Sequence, residues 1–355
     1  MNKNLLAIAV GAVFVVPGAA FADVKVYGKF NVGIENQKDE IGLDTSSSND
    51  DENTWIVKDN NNSSRLGFKG SEDTGLADLQ VIYQLEYGID PDGTESTAFS
   101  ERNIFVGLQG GFGTFKVGKF DTPVKEAGAK ADLFNDESFG DDSSLLVGET
   151  RINNAIQYTT PKFLDGLTVT AVVQPGEGRT ALDNSSEQDK GIADTAYASL
   201  VYDTKIVYAS LSYAYHEAAS LKFDGTTAAS NIIRGAIYVN PVTDLELSAL
   251  LQQAKGVDQE NSTTDSLTGS SYKETSWLIG AGYSIDAVKL KAQYGETKGD
   301  YTDLKRTDLS LGVDYKLSKA FLAQLYYIGI KQDVATTGSS DTKSSAAGLG
   351  LVYSF

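Results

Sequence analysis

The residue types that carry catalysis are scarce in this sequence. It contains one histidine, His216, and no cysteine. No G-x-S-x-G, H-E-x-x-H, phosphate-binding loop or G-x-G-x-x-G motif accompanies that histidine. A lone histidine at the end of a strand pattern is more often an ordinary polar residue than a general base. We therefore predict no catalytic residue, no cofactor and no enzymatic activity.

Ionisable side chains are instead concentrated in polar segments between apolar ones. The longest such segment, residues 120–149, is rich in acids, among them Asp132, Asp136, Glu137, Asp141 and Asp142. Clustered carboxylates can line a charged passage or bind a divalent cation. No spacing resembles the D-x-[DN]-x-[DN]-G pattern of a calcium loop, so we predict no metal site.

The composition points to an exported, acidic protein. The 355 residues include 48 acidic and 30 basic ones, a net charge of −18, which argues against nucleic-acid binding. Residues 1–22 combine Lys3, an apolar core and Ala20-Phe21-Ala22, the pattern of a cleaved secretory signal peptide. No linker divides residues 23–355, so we predict one domain despite the length of the chain.

The stretch LADLQVIYQLEYGI, residues 76–89, alternates apolar and polar side chains along its whole length. Strict alternation is typical of a β-strand, because successive side chains point to opposite faces. At about 3.3 Å per residue and a tilt of about 45°, about thirteen residues cross the ~30 Å of a bilayer. The predicted lipid-facing side chains are Ala77, Leu79, Val81, Tyr83, Leu85, Tyr87 and Ile89.

The same alternation recurs along the chain and predicts sixteen strands. They start near residues 24, 63, 76, 100, 113, 150, 167, 195, 206, 230, 245, 272, 287, 305, 320 and 344, with mixed parity near 206 and 320. Short connections at 71–75, 110–113, 161–166, 240–244 and 317–320 alternate with long polar ones at 36–62, 90–99, 120–149, 175–194, 217–229, 255–271, 298–304 and 332–343. This asymmetry is typical of outer-membrane barrels and is not explained by the alternative, a large soluble β-sandwich or propeller.

Three runs resemble the trimeric general porins of Gram-negative outer membranes, in their neisserial and betaproteobacterial branch. They are SSRLGFKGSEDTG (63–75), VGLQGGFGTFKVGKFDTP (106–123) and RINNAIQYTTPKFLDGLTV (151–169). The resemblance implies a 16-stranded antiparallel transmembrane β-barrel in the outer membrane, a homotrimer surrounded by lipid and lipopolysaccharide. Its third long extracellular loop, 120–149 here, would fold inward and narrow the pore. The terminal LVYSF resembles the signal that the assembly machinery recognises, through Phe355.

The resemblance also assigns the residues of the constriction. Arg65, Arg102, Lys116 and Arg151 match basic wall positions, and Asp132, Asp136 and Glu137 would supply the acidic loop side. Strand parity places three of the four basic residues on the polar face. Arg102 is the exception, because it is in register with apolar residues that should face lipid. It would snorkel at the membrane edge, or a bulge would turn it inward.

The resemblance implies a channel for passive diffusion of small hydrophilic solutes and ions. Gln109 and Gln157 stand where the family often has basic residues, and FNDESFG replaces its Pro-Glu-Phe-type run. Both departures make the pore less positive, so we expect a weak preference for cations. Two alternatives stay open: a substrate-specific channel on the same barrel, and an adhesin or structural barrel without an open pore.

Overall fold

The computed structural model describes residues 24–43, 53–94, 97–180, 188–223, 229–257, 272–300, 303–333 and 341–355. The predicted signal peptide, residues 1–22, lies outside these ranges. Among the described residues, no helix combines the length and the apolar character that crossing a membrane requires.

Nearly all regular structure in the described part of the chain is antiparallel β-sheet. The elements are β1 (Lys25–Asp39), β2 (Thr54–Asp59), β3 (Arg65–Asp73), β4 (Gln80–Ile89), β5 (Phe99–Gly110), β6 (Gly113–Asp121), α1 (Pro123–Gly128), β7 (Arg151–Thr159), β8 (Leu167–Gln174), β9 (Arg179–Thr180), β10 (Gln188–Asp189), β11 (Thr195–Asp203), β12 (Val207–Glu217), β13 (Ser230–Val242), β14 (Leu245–Gly256), β15 (Lys273–Ile285), β16 (Val288–Gly299), β17 (Lys305–Lys316), β18 (Phe321–Gln332) and β19 (Thr342–Ser354).

The sheet closes into a barrel. Seventeen strand segments form one sheet, in which β1 pairs with the last strand, β19, while β9 and β10 pair only with each other. Both β2 and β3 pair with β1 and together form one stave, so the barrel has sixteen staves. Closure gives each stave a neighbouring stave on both sides, as a lipid environment requires. The predicted 16-stranded antiparallel barrel is confirmed.

Side chains alternate between the outer and inner faces of this wall. In β1, Phe30 and Ile34 are exposed on the outside, whereas Asn31 and Glu35 are buried inside. Short turns connect the strands at one end; the β5–β6 turn depends on Gly113, whose φ is +107°. A Cβ atom at Gly113 would also collide with the carbonyl oxygen of Thr159, so only glycine fits there.

Two sequence predictions are wrong in detail. Residues 36–62 were expected to form a loop, but β1 continues to Asp39 and β2 pairs with it. A 3₁₀ turn at Asn60–Asn62, with φ of 49° and 44° at Asn61 and Asn62, interrupts the alternation and hides this strand in the sequence. The strand predicted from residue 76 begins at Gln80, because Ala77 lies in a turn with φ of 52°.

Candidate pore constriction

The loop between β6 and β7, residues 122–150, which we call L3, runs across the inside of the barrel. It starts with α1, whose first turn is capped by Thr122, because the Thr122 hydroxyl accepts a hydrogen bond from the Lys125 N–H. Helix α1 packs against β11, β12 and β13. The 3₁₀ turn Ser138–Gly140 packs against β17, β18 and β19. L3 therefore lies on the wall opposite β3–β6.

Three buried apolar clusters attach L3 to that wall. Each joins L3 side chains to inward-facing strand residues that would otherwise meet water: Val124 and Val147 with Ile232, Leu145 and Leu146 with Leu250 and Leu278, and Phe134 and Phe139 with Ile328 and Ile330. Burial of apolar area at about 25 cal/mol per Å² is the main term that favours docking. L3 is thus a packed element and not a loosely hanging loop.

Arg234 of β13 is the polar anchor beneath L3. Its side chain is completely buried. The guanidinium donates to the carbonyl oxygens of Val124 at 3.2 Å and Val147 at 2.9 Å, and it forms an ion pair with Glu149. Its Nε donates to Gln252 Oε1 at 2.8 Å. One arginine therefore ties both ends of L3 to the wall.

Asp136 is the L3 acid that meets the basic wall. Its Oδ2 lies 2.7 Å from Lys29 Nζ and 3.2 Å from Arg65 Nη2. Burial opposes the charged form, but Lys29 and Arg65 outweigh burial and hold the pKa of Asp136 below its ordinary value. Asn31 fixes the loop by donating to the carbonyl oxygen of Asp136 at 2.8 Å.

Glu137, the next residue, points to a different part of the wall. Its Oε1 accepts from Lys291 and Gln324, on β16 and β18. Lys291 Nζ also lies 3.2 Å from Asp314 Oδ1. Burial raises the pKa of Glu137 to about 7, although Lys291 acts in the opposite direction. Asp136 and Glu137 therefore link the tip of L3 to two separate groups of wall residues.

Asp132, the third predicted loop acid, is held inside L3. Its two carboxylate oxygens accept hydrogen bonds from the backbone N–H groups of Phe134 and Asp142, each at 2.9 Å. Burial, and then the charge of Asp141, raise its pKa well above the ordinary value. The structure thus groups Asp132 with the other acids of L3 and not with the predicted basic wall.

A β-bulge decides the direction of Arg102. Register between β4 and β5 shifts after Leu85↔Ile104 and resumes at Tyr87↔Glu101, so Arg102 falls in the bulge opposite Glu86. Arg102 Nε donates to Glu86 Oε1 at 2.9 Å. Strict alternation would have pointed this side chain to lipid, and the bulge turns it inward.

Arg151, on β7, contacts polar side chains of the neighbouring strands β5 and β6. Its Nη2 lies 2.9 Å from Asp121 Oδ1, and its Nε donates to Asn103 Oδ1 at 3.0 Å. A second register shift, near Asn154, separates Arg151 from the alternation of the rest of β7. Alternation predicts that Arg151 shares a face with Gln157, and this prediction is wrong because of the register shift. The Arg151 side chain nevertheless reaches the inner-face Asn103.

Lys116 lies deeper along the same wall. Its Nζ is 4.3 Å from the ring centroid of Phe120 and 4.8 Å from that of Phe105. Both rings present their negative faces to the ammonium group, a cation–π arrangement. The four predicted basic residues thus lie along one wall, on β3, β5, β6 and β7.

Comparison with known proteins identifies the family. A model described as Gram-negative porin matches residues 6–335. The chain belongs to the Gram-negative porin family. The major outer membrane protein P.IB of Neisseria meningitidis serogroup B is 25% identical to this porin and the match covers 100% of both chains. P.IB of Neisseria gonorrhoeae is 31% identical over 166 residues, 46% of this chain and 45% of that relative, less than half of its length.

A solved structure agrees in fold. The anion-selective porin from Comamonas acidovorans has a TM-score of 0.70 and 20% identity, over 94% of this porin and 100% of that chain. This likeness shows the fold. The family match makes the protein a channel for passive diffusion in the Gram-negative outer membrane. The family and the names of the relatives indicate a channel and not an enzyme.

Sequence reasoning missed several inner-face residues that contact L3 or the basic residues. They are Lys29, Glu86, Asp121, Arg234 and Lys291. Parity already placed Lys29 and Lys291 on the polar faces of their strands. Strand parity does not give the path of L3. That path decides which inner-face cations pair with a carboxylate of the loop.

A cavity of about 590 Å³ lies between L3 and the wall of this porin. Its lining carries charges of both signs, with Lys29, Lys130, Lys289 and Lys291 beside Asp132, Glu137, Glu246 and Asp314. Within this lining, Lys289 pairs with Glu246 at 2.5 Å. The cavity is therefore polar and water-accessible, without a surplus of one charge.

Proposed function

We propose that this porin is a general diffusion channel for small hydrophilic solutes and ions, with a weak preference for cations. The observation that carries the proposal is the distribution of charge inside the barrel. Asp136 on L3 faces Lys29 and Arg65, while Arg102 and Arg151 each pair with a carboxylate of the wall. The inner-face cations of this region are thus largely compensated.

We assign the constriction to the space between L3 and the wall of β3–β7. Its basic side consists of Arg65, Arg102, Lys116 and Arg151, and Asp136 is the acid that faces this side. Glu137, paired with Lys291 of β16, and Asp132, held within L3, add negative charge from the loop. Opposed charges across a narrow passage create a transverse field that orients dipolar solutes. Passage needs no energy source, so transport follows the solute gradient.

Cation preference separates this porin from the anion-selective Comamonas protein. Paired arginines attract few anions, and Glu126 of α1 adds an exposed carboxylate inside the barrel. The test is a reversal potential of the purified protein in a planar bilayer under a KCl gradient. We expect a modest potassium preference; a clear chloride preference would contradict the proposal.

A substrate-specific channel is the second candidate, favoured by the two-signed lining of the 590 Å³ cavity. A binding site for one solute would block the single-channel current in a concentration-dependent way. A general porin would instead show conductance proportional to salt concentration. A protein that forms no channels at all would point to an adhesin or structural barrel.

Four further proposals concern export, domain extent, assembly and insertion into the membrane. The chain is exported by residues 1–22, its domain is residues 23–355, and three barrels form a homotrimer in contact with lipopolysaccharide. Phe355 serves as the recognition residue for outer-membrane assembly. A trimer band that survives SDS electrophoresis without heating, and disappears after boiling, supports the trimer.

A further inference from the structure

Three aspartates of L3 lie together, away from the basic wall. Asp132, Asp141 and Asp142 each place a carboxylate oxygen within 4.8 Å of the other two. All three residues are buried, with exposed fractions of 5%, 6% and 2%. They come from both sides of the 3₁₀ turn Ser138–Gly140. Buried like charges at this distance require a compensating positive charge.

Two of these carboxylates are held in place by the loop backbone. Asp132 accepts from the N–H groups of Phe134 and Asp142, as described above. Asp141 accepts from the N–H groups of Asp136 at 2.9 Å and Ser143 at 3.0 Å. Each carboxylate is therefore oriented before any ligand arrives.

The Asp142 side chain is different, because one of its carboxylate oxygens has no hydrogen-bond partner in the described structure. Its Oδ1 is shielded from solvent and has no hydrogen-bond partner. A buried charged carboxylate oxygen without a donor is destabilising, because it has lost its water without gaining a hydrogen bond. This unsatisfied group is directed at the two oriented carboxylates and indicates that a ligand completes the cluster.

The neighbouring cations of the protein are already engaged. Arg234 uses its guanidinium for Glu149 and the carbonyl oxygens of L3, and Lys222 Nζ donates to the carbonyl oxygen of Ser143 at 2.6 Å. Both lower the local negative potential without bonding to the three aspartates. The compensating charge must therefore come from outside the described chain.

We infer that Asp132, Asp141 and Asp142 form a binding site for one divalent cation, with calcium as the best match. Calcium binds carboxylate oxygens at about 2.3–2.6 Å, so oxygens sharing one ion lie within about 5 Å of each other. Magnesium keeps several waters, for which a site this buried has little room. Softer metals prefer imidazole or thiolate ligands, which the cluster lacks.

The ion would close the tip of L3. It links Asp132, which precedes the turn, to Asp141 and Asp142, which follow it, and so fixes the segment that carries Asp136 and Glu137. The sequence analysis predicted no metal site, because these three positions form no linear motif. Only the folded loop brings position 132 beside positions 141 and 142.

The test uses the full barrel, refolded in detergent without lipopolysaccharide, because lipopolysaccharide itself binds divalent cations. The protein is treated with EDTA, desalted and titrated with calcium chloride by calorimetry, and bound metal is measured by mass spectrometry. We expect about one calcium per barrel, and at least about tenfold weaker binding in Asp142→Asn, since even changes outside the ligand shell cost 10- to 100-fold. Asp136→Asn removes a carboxylate of the same loop outside the cluster and should leave calcium binding unchanged.

Two results would overturn the inference. A folded wild-type barrel that binds no stoichiometric calcium would leave a shared proton as the compensating charge. Equal weakening of calcium binding by Asp136→Asn and Asp142→Asn would show that the total charge of the loop, and not a specific site, attracts the ion. The wild-type titration decides the matter even where Asp142→Asn does not refold, and Asp141→Asn provides a second ligand variant.

Discussion

The two halves of the inner wall use the same strand pattern in different ways. On β3–β7 the inward positions carry charged side chains in pairs, such as Arg102 with Glu86 and Arg151 with Asp121. On β13–β18 the inward positions include Ile232, Leu278 and Ile328, which L3 covers. In this porin, apolar inward residues thus occur where L3 packs against the wall, and charged inward residues occur where the wall meets water.

The arginines of the two halves also have different roles. Pairs such as Arg102–Glu86 lie on the half of the wall that L3 does not cover. Their effect is on the field that a passing ion meets. Arg234 is fully buried, and its role is to hold L3. Substitutions in the two halves should accordingly change different observables.

The largest effect is expected for Arg234→Ala. Removing one partner of a buried ion pair costs about 3–5 kcal/mol, because Glu149 and two loop carbonyl groups lose their donor. L3 should detach, become sensitive to limited proteolysis and give a noisier, larger single-channel current. Arg102→Ala, on the open half, is the matched control and should leave L3 protected. Equal protease resistance of both variants would remove the distinction between the two halves.

A smaller effect is expected for Asp136→Asn. The substitution leaves Lys29 and Arg65 without their loop carboxylate, so the potassium-to-chloride permeability ratio should fall about twofold or more. The reversal potential under a KCl gradient measures this change. Asp303→Asn makes the same change of charge in an exposed loop and should shift the ratio much less. Equal shifts would mean that overall charge, and not L3, sets selectivity.

The adjacent acids Asp136 and Glu137 should respond to pH differently. The pKa of Asp136 lies below its ordinary value, so its charge persists as pH falls from 8 to 6, whereas Glu137, with a pKa of about 7, gains a proton over this range. Cation preference should therefore weaken between pH 8 and pH 6 in the wild type and in Asp136→Asn. In Glu137→Gln the change of the ratio with pH should be smaller. An undiminished pH dependence in Glu137→Gln would assign the titration to another group.

The smallest effect is expected for Lys116→Met. The ammonium group lies over two phenyl rings on the inner face, so its loss should raise cation preference slightly. Lys119→Met is the control, because Lys119 lies on the same strand with its side chain paired to the exposed Glu101. Reversal potentials should show a higher cation preference in Lys116→Met than in Lys119→Met. Identical values would place Lys116 outside the conduction path.

Much of this architecture follows from alternation that can be read directly in the sequence. Most predicted strand starts agree with the structure, because the alternation of apolar and polar side chains within each strand reflects its outward and inward faces. Mixed parity near residue 320 also has an explanation, because Ile328 and Ile330 of β18 face inward under L3. A sequence pattern that assumes a water-filled interior cannot distinguish such residues from lipid-facing ones.

The sequence by itself determined the barrel, the number of staves, the polar face and the inward direction of Arg65 and Lys116, because a period of two is a local property. The tertiary structure decided the direction of Arg102, the partners of Asp136 and Glu137, the anchoring by Arg234 and the meeting of Asp132 with Asp141 and Asp142. These features depend on bulges and on the surface that L3 covers. Both arise from contacts between segments far apart in the chain, which no local pattern contains.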